Sequence, residues 1–152
     1  MTYRERLWAP WWLWLVVVAW PAMLGVAVGA ATSGAVGWLI GCGAVGVAVF
    51  ALWRSTLALT VDAEGFTVGR VHLERQYLGP VTPLDKAASQ RLRGVDADAR
   101  AFTALRGWVA TSVRVTVVDD RDPTPYWLVA TRRPDALAAA LESCRTQARA
   151  EG

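Results

Sequence analysis

Charged residues are missing from a long stretch near the N-terminus, because residues 7–53 contain no Asp, Glu, Lys or Arg. About 20 consecutive apolar residues let a helix cross the hydrocarbon core of a bilayer, and this stretch has room for two such helices. Small residues at positions 31–34 (Ala-Thr-Ser-Gly) interrupt it and favour a turn. The sequence therefore predicts a membrane hairpin of helices at about 10–31 and 35–53, which makes residues 1–54 a first domain and residues 55–152 a second.

Residue types that carry catalytic or metal chemistry are also scarce. His72 is the only histidine, and the two cysteines, Cys42 and Cys144, have no second ligand at metal-binding spacing. No nucleophile–histidine set can be assembled around His72, and the phosphate-binding pattern G-x-x-x-x-G-K-[ST] is absent. We therefore predict no catalytic, metal-binding or cofactor-binding residues, no cofactor, and a protein that is not an enzyme.

The basic residues around the predicted helices lie on one side of the hairpin. Arg4 and Arg6 precede the first helix and Arg54 follows the second, whereas the turn between the helices has no basic residue. Basic residues concentrate on the cytoplasmic side of membrane helices, so we predict a cell inner membrane protein with both termini in the cytoplasm. Indole rings prefer the membrane interface, and five tryptophans fall at this same end: Trp8, Trp11, Trp12, Trp14 and Trp53.

Glycines recur at four-residue spacing in both predicted helices. Gly25 and Gly29 lie in the first helix, and Gly37 and Gly41 lie in the second. Because lipid provides no hydrophobic force between helices, close backbone approach at small residues becomes important. Folding the chain back at Ser33 places Gly29 opposite Gly37 and Gly25 opposite Gly41. We predict that these glycines pack the hairpin against itself, and the alternative is packing in a homo-oligomer or against a partner's helix.

The second domain alternates between strand and helix patterns. Period-two alternation and turn residues predict six strands, at 57–61, 66–73, 76–78, 101–106, 109–119 and 126–131. Helical spacing predicts helices at 83–93, with Thr82 as the N-cap, and from 134 to about 149, after a turn at 119–125. This order resembles an α+β, antiparallel, pleckstrin-homology-like (PH-like) barrel or sheet with a C-terminal amphipathic helix. That barrel has a seventh strand and lacks the helix at 83–93, so an open sheet is the alternative.

Two stretches carry a closer resemblance. They are residues 3–12 (YRERLWAPWW) and residues 122–134 (DPTPYWLVATRRP), with residues 106–109 (RGWV) between them. In these motifs the chain resembles a family of small actinobacterial membrane proteins catalogued as a domain of unknown function. The resemblance extends over most of the chain and implies a two-helix membrane anchor and an actinobacterial source. It implies no activity and no catalytic residue.

The expected partners follow from the anchor and from the charge. A net charge of +3, interleaved with acidic residues, is too small to indicate nucleic-acid binding. The leading prediction is a membrane-anchored, non-enzymatic PH-like module that docks an unidentified protein partner, or supports a membrane complex, at the cytoplasmic face of the lipid bilayer. One alternative is a module that senses anionic lipid through Arg54, Arg70, Arg75, Arg132 and Arg133. Another is a membrane-bound enzyme whose site needs a partner to complete it.

Overall fold

The computed structural model describes residues 3–119 and 121–151, with the backbone alone for residues 149–151. Over this part of the chain the elements are β1 (Tyr3–Leu7), α1 (Trp11–Ala31), α2 (Gly34–Arg54), β2 (Leu57–Val61), β3 (Gly65–Val68), β4 (Val71–Glu74), a 3₁₀ turn (Arg75–Tyr77), β5 (Leu78–Leu84), α3 (Lys86–Arg93), β6 (Phe102–Ala104), β7 (Ser112–Val117), β8 (Tyr126–Ala130) and α4 (Pro134–Glu151). They form two compact units. The hairpin unit is residues 8–56, and the sheet unit joins β1 to the chain after residue 56.

The hairpin unit consists of α1 and α2, which start and end within one residue of the predicted bounds. Each helix has 21 residues, or about 31 Å at 1.5 Å per residue, which matches the hydrocarbon core of a bilayer. The hydroxyl of Ser33 accepts a hydrogen bond from the Val36 N–H (3.4 Å) and caps α2. Only 6% of the apolar window of α1 and 17% of that of α2 is buried, unlike a core helix of a soluble protein. By length and composition, the two helices indicate association with a membrane.

The N-terminal strand β1 is part of the sheet unit. It pairs antiparallel with β2, and the register places Leu7 opposite Leu57 and Tyr3 opposite Val61. The whole hairpin is therefore an insertion between two adjacent strands of one sheet. The predicted division after residue 54 assigned this segment to the hairpin. The structure assigns it to the sheet unit, whose core contains the fully buried side chain of Leu7.

Sheet A is the four-stranded antiparallel sheet with the order β1-β2-β3-β4. Its alternation is clearest in β2, where Leu57, Leu59 and Val61 are buried and the residues between them are half-buried. The predicted strand 66–73 is in fact two strands, β3 and β4, which pair with each other. The chain reverses at Gly69, whose φ of +64° is a conformation that favours glycine.

Sheet B is the second four-stranded sheet, with the order β5-β7-β8-β6. β7 pairs antiparallel with both neighbours, whereas β6 runs parallel to β8, with Phe102 opposite Trp127. The sheets are open in the described residues, so a closed barrel is wrong, while an α+β unit with a C-terminal helix is confirmed. The predicted strand 76–78 is replaced by the 3₁₀ turn and by β5. The predicted turn at 119–125 includes Asp120, which lies outside the described residues.

The helix α3 begins later than predicted. Thr82 and Pro83 belong to β5, where Thr82 lies opposite Arg114. Asp85 is the N-cap instead, since its Oδ1 accepts a hydrogen bond from the Ala88 N–H at 2.7 Å. Both Thr and Asp are good N-caps, and proline is tolerated in an edge strand such as β5 because its missing N–H faces outward. The N-cap preference alone therefore does not distinguish a helix capped by Thr82 from one capped by Asp85.

The main core is built from the facing sides of both sheets and from α4. It contains Phe66 of sheet A and Trp127 of sheet B, whose rings lie 6.1 Å apart. The predicted apolar stripe of the C-terminal helix supplies Leu137, Leu141 and Cys144, all buried here. A second, smaller cluster lies on the opposite face of sheet B, beneath α3, and consists of Leu84, Tyr126 and Leu128 with half-buried Ala88, Leu92, Ala101 and Leu105 around them.

Candidate functional site

The four predicted packing glycines lie at the contact between α1 and α2. A Cβ atom added to Gly25 would lie 2.7 Å from the Gly41 Cα, and one added to Gly29 would lie 3.4 Å from the Gly37 Cα. A Cβ atom on Gly37 would overlap the backbone of Gly25 and Gly29. A larger residue at position 25 or 37 would therefore force the helices apart. These contacts occur within one chain and in the pairing that the sequence predicts.

The predicted interface tryptophans lie at the end of the hairpin where the chain enters and leaves it. Trp11 and Trp12, in the first turn of α1, are 75% and 51% exposed, and Trp53, in the last turn of α2, is 61% exposed. Trp8 is also exposed, and Trp14 is half-buried. Their indole rings are thus available at the level where a membrane interface would lie.

The predicted interface arginines divide between the two units. Arg4 and Arg6 lie in β1, where side chains alternate between the faces of the sheet, so both share the face opposite Leu7 and are exposed. Arg54 is the last residue of α2 and is also exposed. Arg4 and Arg6 therefore lie on the outer face of sheet A, only a few residues before α1 begins.

The four residues predicted as a lipid-facing basic surface separate into two pairs. Arg70 and Arg75 lie on either side of β4, and Arg75 is close enough to Cys144 to oppose the rise in the pKa of that thiol, which burial causes. Arg132 and Arg133 are exposed and precede α4. The start of α4 and Cys144 are about 15 Å apart along the helix, at 1.5 Å per residue. The two pairs are therefore separated along α4, and a shared lipid-facing surface of the four arginines stays a prediction.

A carboxylate that sequence reasoning missed connects β1 to the start of α4. Glu5 Oε2 accepts hydrogen bonds from the Thr131 hydroxyl (2.5 Å) and the Tyr3 hydroxyl (2.8 Å), and Glu5 Oε1 accepts one from the Arg132 N–H (3.0 Å). Thr131 is fully buried, and its hydroxyl also accepts a hydrogen bond from the Arg133 N–H (3.1 Å). We call these contacts the Glu5 junction.

The Glu5 junction links the two sequence motifs that carried the family resemblance. Residues 3–12 contain Tyr3 and Glu5, and residues 122–134 contain Thr131 and Arg132. The sequence contains a signal for the Glu5 junction. Tyr, Glu and Leu at positions 3, 5 and 7 share one face of a strand. A Glu on the same face as a buried Leu needs hydrogen-bond donors. This alternation predicts the junction only if residues 3–7 are known to form a strand.

The second face of sheet B contains an open cavity of about 690 Å³. Its lining comes from α3, from the loop that follows it, and from the strands beneath: Asp85, Ala87, Ala88, Arg91, Leu92, Asp96, Asp98, Arg114 and Tyr126. Arg114 alternates with the core residues Val113 and Val115, so its side chain is on the opposite face of β7. The cavity therefore has a charged side chain on its floor. We call it the Arg114 cavity.

The guanidinium of Arg114 is held by an aromatic ring. Its Cζ atom lies 4.7 Å from the centre of the Tyr126 ring, within the range of a cation–π contact. Tyr126 is only 5% exposed, and its hydroxyl accepts a hydrogen bond from the Asp98 N–H at 3.2 Å. Burial and this hydrogen bond restrict the position of the Tyr126 ring. The cation–π contact therefore favours the observed position of the Arg114 guanidinium by about 1 kcal/mol.

The Arg114 guanidinium has no anionic partner among the described residues. Its Nε atom is buried and lacks a hydrogen-bond acceptor. Two aspartates of the cavity are already engaged: Asp85 caps α3, and Asp98 forms an ion pair with Arg100 (3.0 Å) that holds the pKa of the Asp98 carboxyl below its usual range. A half-buried cation without a counter-ion is uncommon, because burial weakens its hydration.

Other chemistry is sparse in the described part of the chain. No group of three or more His, Cys, Asp or Glu side chains there is placed to hold a metal ion. His72 is exposed on β4, with its Nδ1 atom 2.9 Å from the Thr67 hydroxyl. Cys144 is buried, and its thiol donates to the Asp62 carbonyl at 3.3 Å. The Arg114 cavity, with a guanidinium that lacks an anionic partner, is thus the strongest candidate for a binding site.

Fold and sites together define a class of protein: an apolar two-helix hairpin inserted between two strands of an α+β unit. A protein-family model described as "Protein of unknown function (DUF3093)" matches residues 2–141. The chain therefore belongs to that family, which agrees with the resemblance noted in its sequence motifs. No curated protein and no solved structure matches the chain.

Proposed function

We propose that the protein is a non-enzymatic module that docks a protein partner at the cytoplasmic face of the inner membrane. The hairpin is the anchor, and the sheet unit is a PH-like docking domain in which two sheets and a C-terminal helix enclose one core. The observation that carries the proposal is the Arg114 cavity. An open cavity with an oriented, unpaired guanidinium is a recognition feature, since Arg recognises carboxylates through paired hydrogen bonds.

The orientation in the membrane is supported by the strand pairing as well as by the charges. Because Leu7 and Leu57 lie opposite each other in sheet A, the chain must enter and leave the hairpin on one side of the bilayer. The basic residues Arg4, Arg6 and Arg54 lie next to these two ends, and basic residues concentrate on the cytoplasmic side. Both ends of the hairpin, and with them the sheet unit, are thus proposed to be cytoplasmic.

Partner capture in a mild detergent tests the docking function. The tagged full chain, expressed in its own host, is purified next to a chimaera that keeps residues 8–56 but carries an unrelated soluble domain. We expect one protein to copurify with the full chain in near-equal amount and to be absent from the chimaera. Absence of any stoichiometric protein from both samples would contradict the proposal.

A second function, sensing of anionic lipid, is favoured by one observation. Arg4 and Arg6 are exposed on the outer face of β1, and only Trp8, Ala9 and Pro10 separate that strand from α1. At about 3.5 Å per extended residue, these side chains are within reach of lipid headgroups. Each basic side chain near an anionic leaflet contributes about 1 kcal/mol of attraction. Arg132 and Arg133 are a further candidate pair for the same role.

Lipid sensing is tested on the full chain reconstituted in nanodiscs of neutral or anionic lipid. The measured quantity is the thermal unfolding midpoint of the sheet unit at low and high salt. Lipid sensing predicts a salt-sensitive rise in anionic lipid that is reduced in Arg4→Ala/Arg6→Ala or in Arg132→Ala/Arg133→Ala. The matched control is Arg121→Ala, an exposed arginine in the loop between β7 and β8. Equal midpoints in the two lipids would leave docking as the only proposal.

A further inference from the structure

We propose that the Arg114 cavity binds one carboxylate of a peptide segment, and that this carboxylate is the feature by which the docked partner is recognised. The inference rests on the proposed docking function and assigns it to a site. Arg114 is the primary contact, and Arg91, at the edge of the cavity on α3, is the second. The chemistry recognised is a single planar anion with a basic neighbour.

The choice of a carboxylate follows from the geometry of Arg114. The Tyr126 ring lies on one side of the guanidinium, 4.7 Å from its Cζ atom, so the N–H groups that point away from the ring remain for a ligand. The Nε atom is buried and therefore not open to a ligand, which leaves the terminal N–H groups of the guanidinium as the donors for a carboxylate. A carboxylate accepts two parallel hydrogen bonds from such groups. A single amide oxygen would satisfy only some of them.

The acidic residues around the cavity favour a singly charged anion over a more highly charged one. Asp85, Asp96 and Asp98 line the same cavity as Arg91 and Arg114. Asp98 is paired with Arg100, whereas Asp85 and Asp96 form no ion pair with a described residue, so a doubly charged phosphate would meet about twice the repulsion that a singly charged carboxylate meets. Asp96 is exposed at the rim and has no side-chain partner among the described residues. It suits a basic residue next to the carboxylate, which a peptide supplies and a free small acid does not.

A peptide also fits the shape and the apolar part of the lining. The cavity is open to solvent and has about 690 Å³ of space, more than one carboxylate needs. Ala87, Ala88 and Leu92 provide an apolar wall on α3. The aliphatic stem of a Glu side chain could lie against this wall while its carboxylate contacts Arg114. The site thus matches a short acidic segment flanked by basic residues.

The test uses the full chain in detergent micelles and three probes: the capped peptide Ac-Lys-Glu-Lys-NH₂, its matched control Ac-Lys-Gln-Lys-NH₂, and sodium acetate. The Nε–H signal of Arg114 is followed by NMR and assigned by its loss in Arg114→Lys. We expect a saturable shift with the Glu peptide and binding weaker by at least about 10-fold with the Gln peptide, because one neutral acceptor replaces two charged ones.

Variants separate the site from the rest of the surface. Arg114→Lys should weaken binding of the Glu peptide by at least about 10-fold, because a lysine cannot form the paired contact. Arg91→Gln, at an exposed position of α3 where folding is not at risk, should weaken it by about threefold. Arg121→Lys, outside the cavity, should leave it unchanged. Equal affinity for the Glu and Gln peptides, or no saturation below about 10 mM, would overturn the inference.

Failure of the site and failure of the docking function give different results. If Arg114→Lys captures the partner as well as the unaltered chain does, the site assignment is wrong and docking stands. If the Glu peptide binds as expected but no partner copurifies, the site stands and docking is wrong. Acetate that binds as tightly as the Glu peptide would also overturn the inference, because the ligand would then be a free small acid.

Discussion

The two helices of the hairpin unit pack against each other through backbone atoms, whereas the core of the sheet unit is packed with large side chains. Gly25 and Gly41 meet with no side chain between them, and the bulky residues of both helices point outward. In the sheet unit, Phe66 and Trp127 are packed inside and the charged residues lie outside. The two units thus place apolar side chains in opposite directions.

This difference has a physical cause and a practical consequence. In lipid, apolar side chains gain nothing by leaving the surface, so the helices are held by close packing at small residues. In water, removal of apolar surface is the main stabilising term. A larger side chain at a helix contact should therefore destabilise the hairpin most. Loss of a buried side chain should destabilise the sheet unit most.

The largest effect is expected from removing β1, because it belongs to the sheet unit although the hairpin separates it from β2. A chain that starts at Leu57 lacks Leu7 and the Glu5 junction, and should lose about 4 kcal/mol or more of its stability. A chain in which Asn-Gly replaces residues 8–56 should instead fold as a water-soluble domain. Leu7 and Leu57 lie directly opposite each other, and Asn-Gly is the preferred two-residue hairpin turn.

Urea denaturation followed by circular dichroism distinguishes the two chains. The Asn-Gly chain should show one cooperative transition, and the chain that starts at Leu57 should show none. Equal transitions in the two would mean that β1 is dispensable and that the hairpin is not a true insertion.

A substitution of Gly37 by leucine should open the hairpin and leave the sheets intact. A Cβ atom at this position overlaps the backbone of α1, and overpacking of a tight contact costs about 3 kcal/mol. Val26 and native Cys42 line one groove of the hairpin, so a bis-maleimide should crosslink Val26→Cys to Cys42 within a monomer, in a Cys144→Ser chain. Gly37→Leu should lower this yield by at least about tenfold.

The matched control is Gly43→Leu, because nothing lies within 4 Å of a Cβ atom at Gly43. Its crosslinking yield should equal that of the parent chain. If the parent chain gives only intermolecular products, the glycines join separate molecules and the packing within one chain is wrong.

The same contrast explains what the sequence could and could not predict. The hairpin was predicted to within one residue because its signals are local: absent charges, small turn residues at 31–34 and glycines four residues apart. The pairing of β1 with β2 was not predicted, since its two strands are separated by the entire hairpin and five residues of β1 carry little pattern of their own. The strand that carries Arg114 was predicted, but the cavity above it was not, because the position of α3 over that face depends on tertiary packing.

Glu5→Ala should destabilise the sheet unit by about 2 kcal/mol. It removes the acceptor of the Thr131 hydroxyl and of the Arg132 N–H, and hydrogen bonds to a charged group contribute about 1.5–3 kcal/mol each before relaxation. Glu64→Ala, at an exposed position in the turn before β3, should change stability by less than about 0.5 kcal/mol. Denaturation of the full chain in micelles, followed by near-ultraviolet circular dichroism, measures both. Equal losses in the two variants would contradict the role given to the junction.

The smallest effect is a dependence on pH that comes from Tyr3. Burial raises the pKa of the Tyr3 phenol to about 12 from 10.0, and the hydrogen bond to Glu5 adds to the rise. Because the folded pKa is raised, the stabilisation is complete below pH 10, where both states hold the proton, and is lost as the pH increases to about 12. Tyr3→Phe cannot ionise, so the stability difference between the two chains should shrink by about 1 kcal/mol over this range, after a discount for solvent screening. Parallel stability curves from pH 9 to 12 would show that Tyr3 is in an ordinary environment and would contradict its burial beside Glu5.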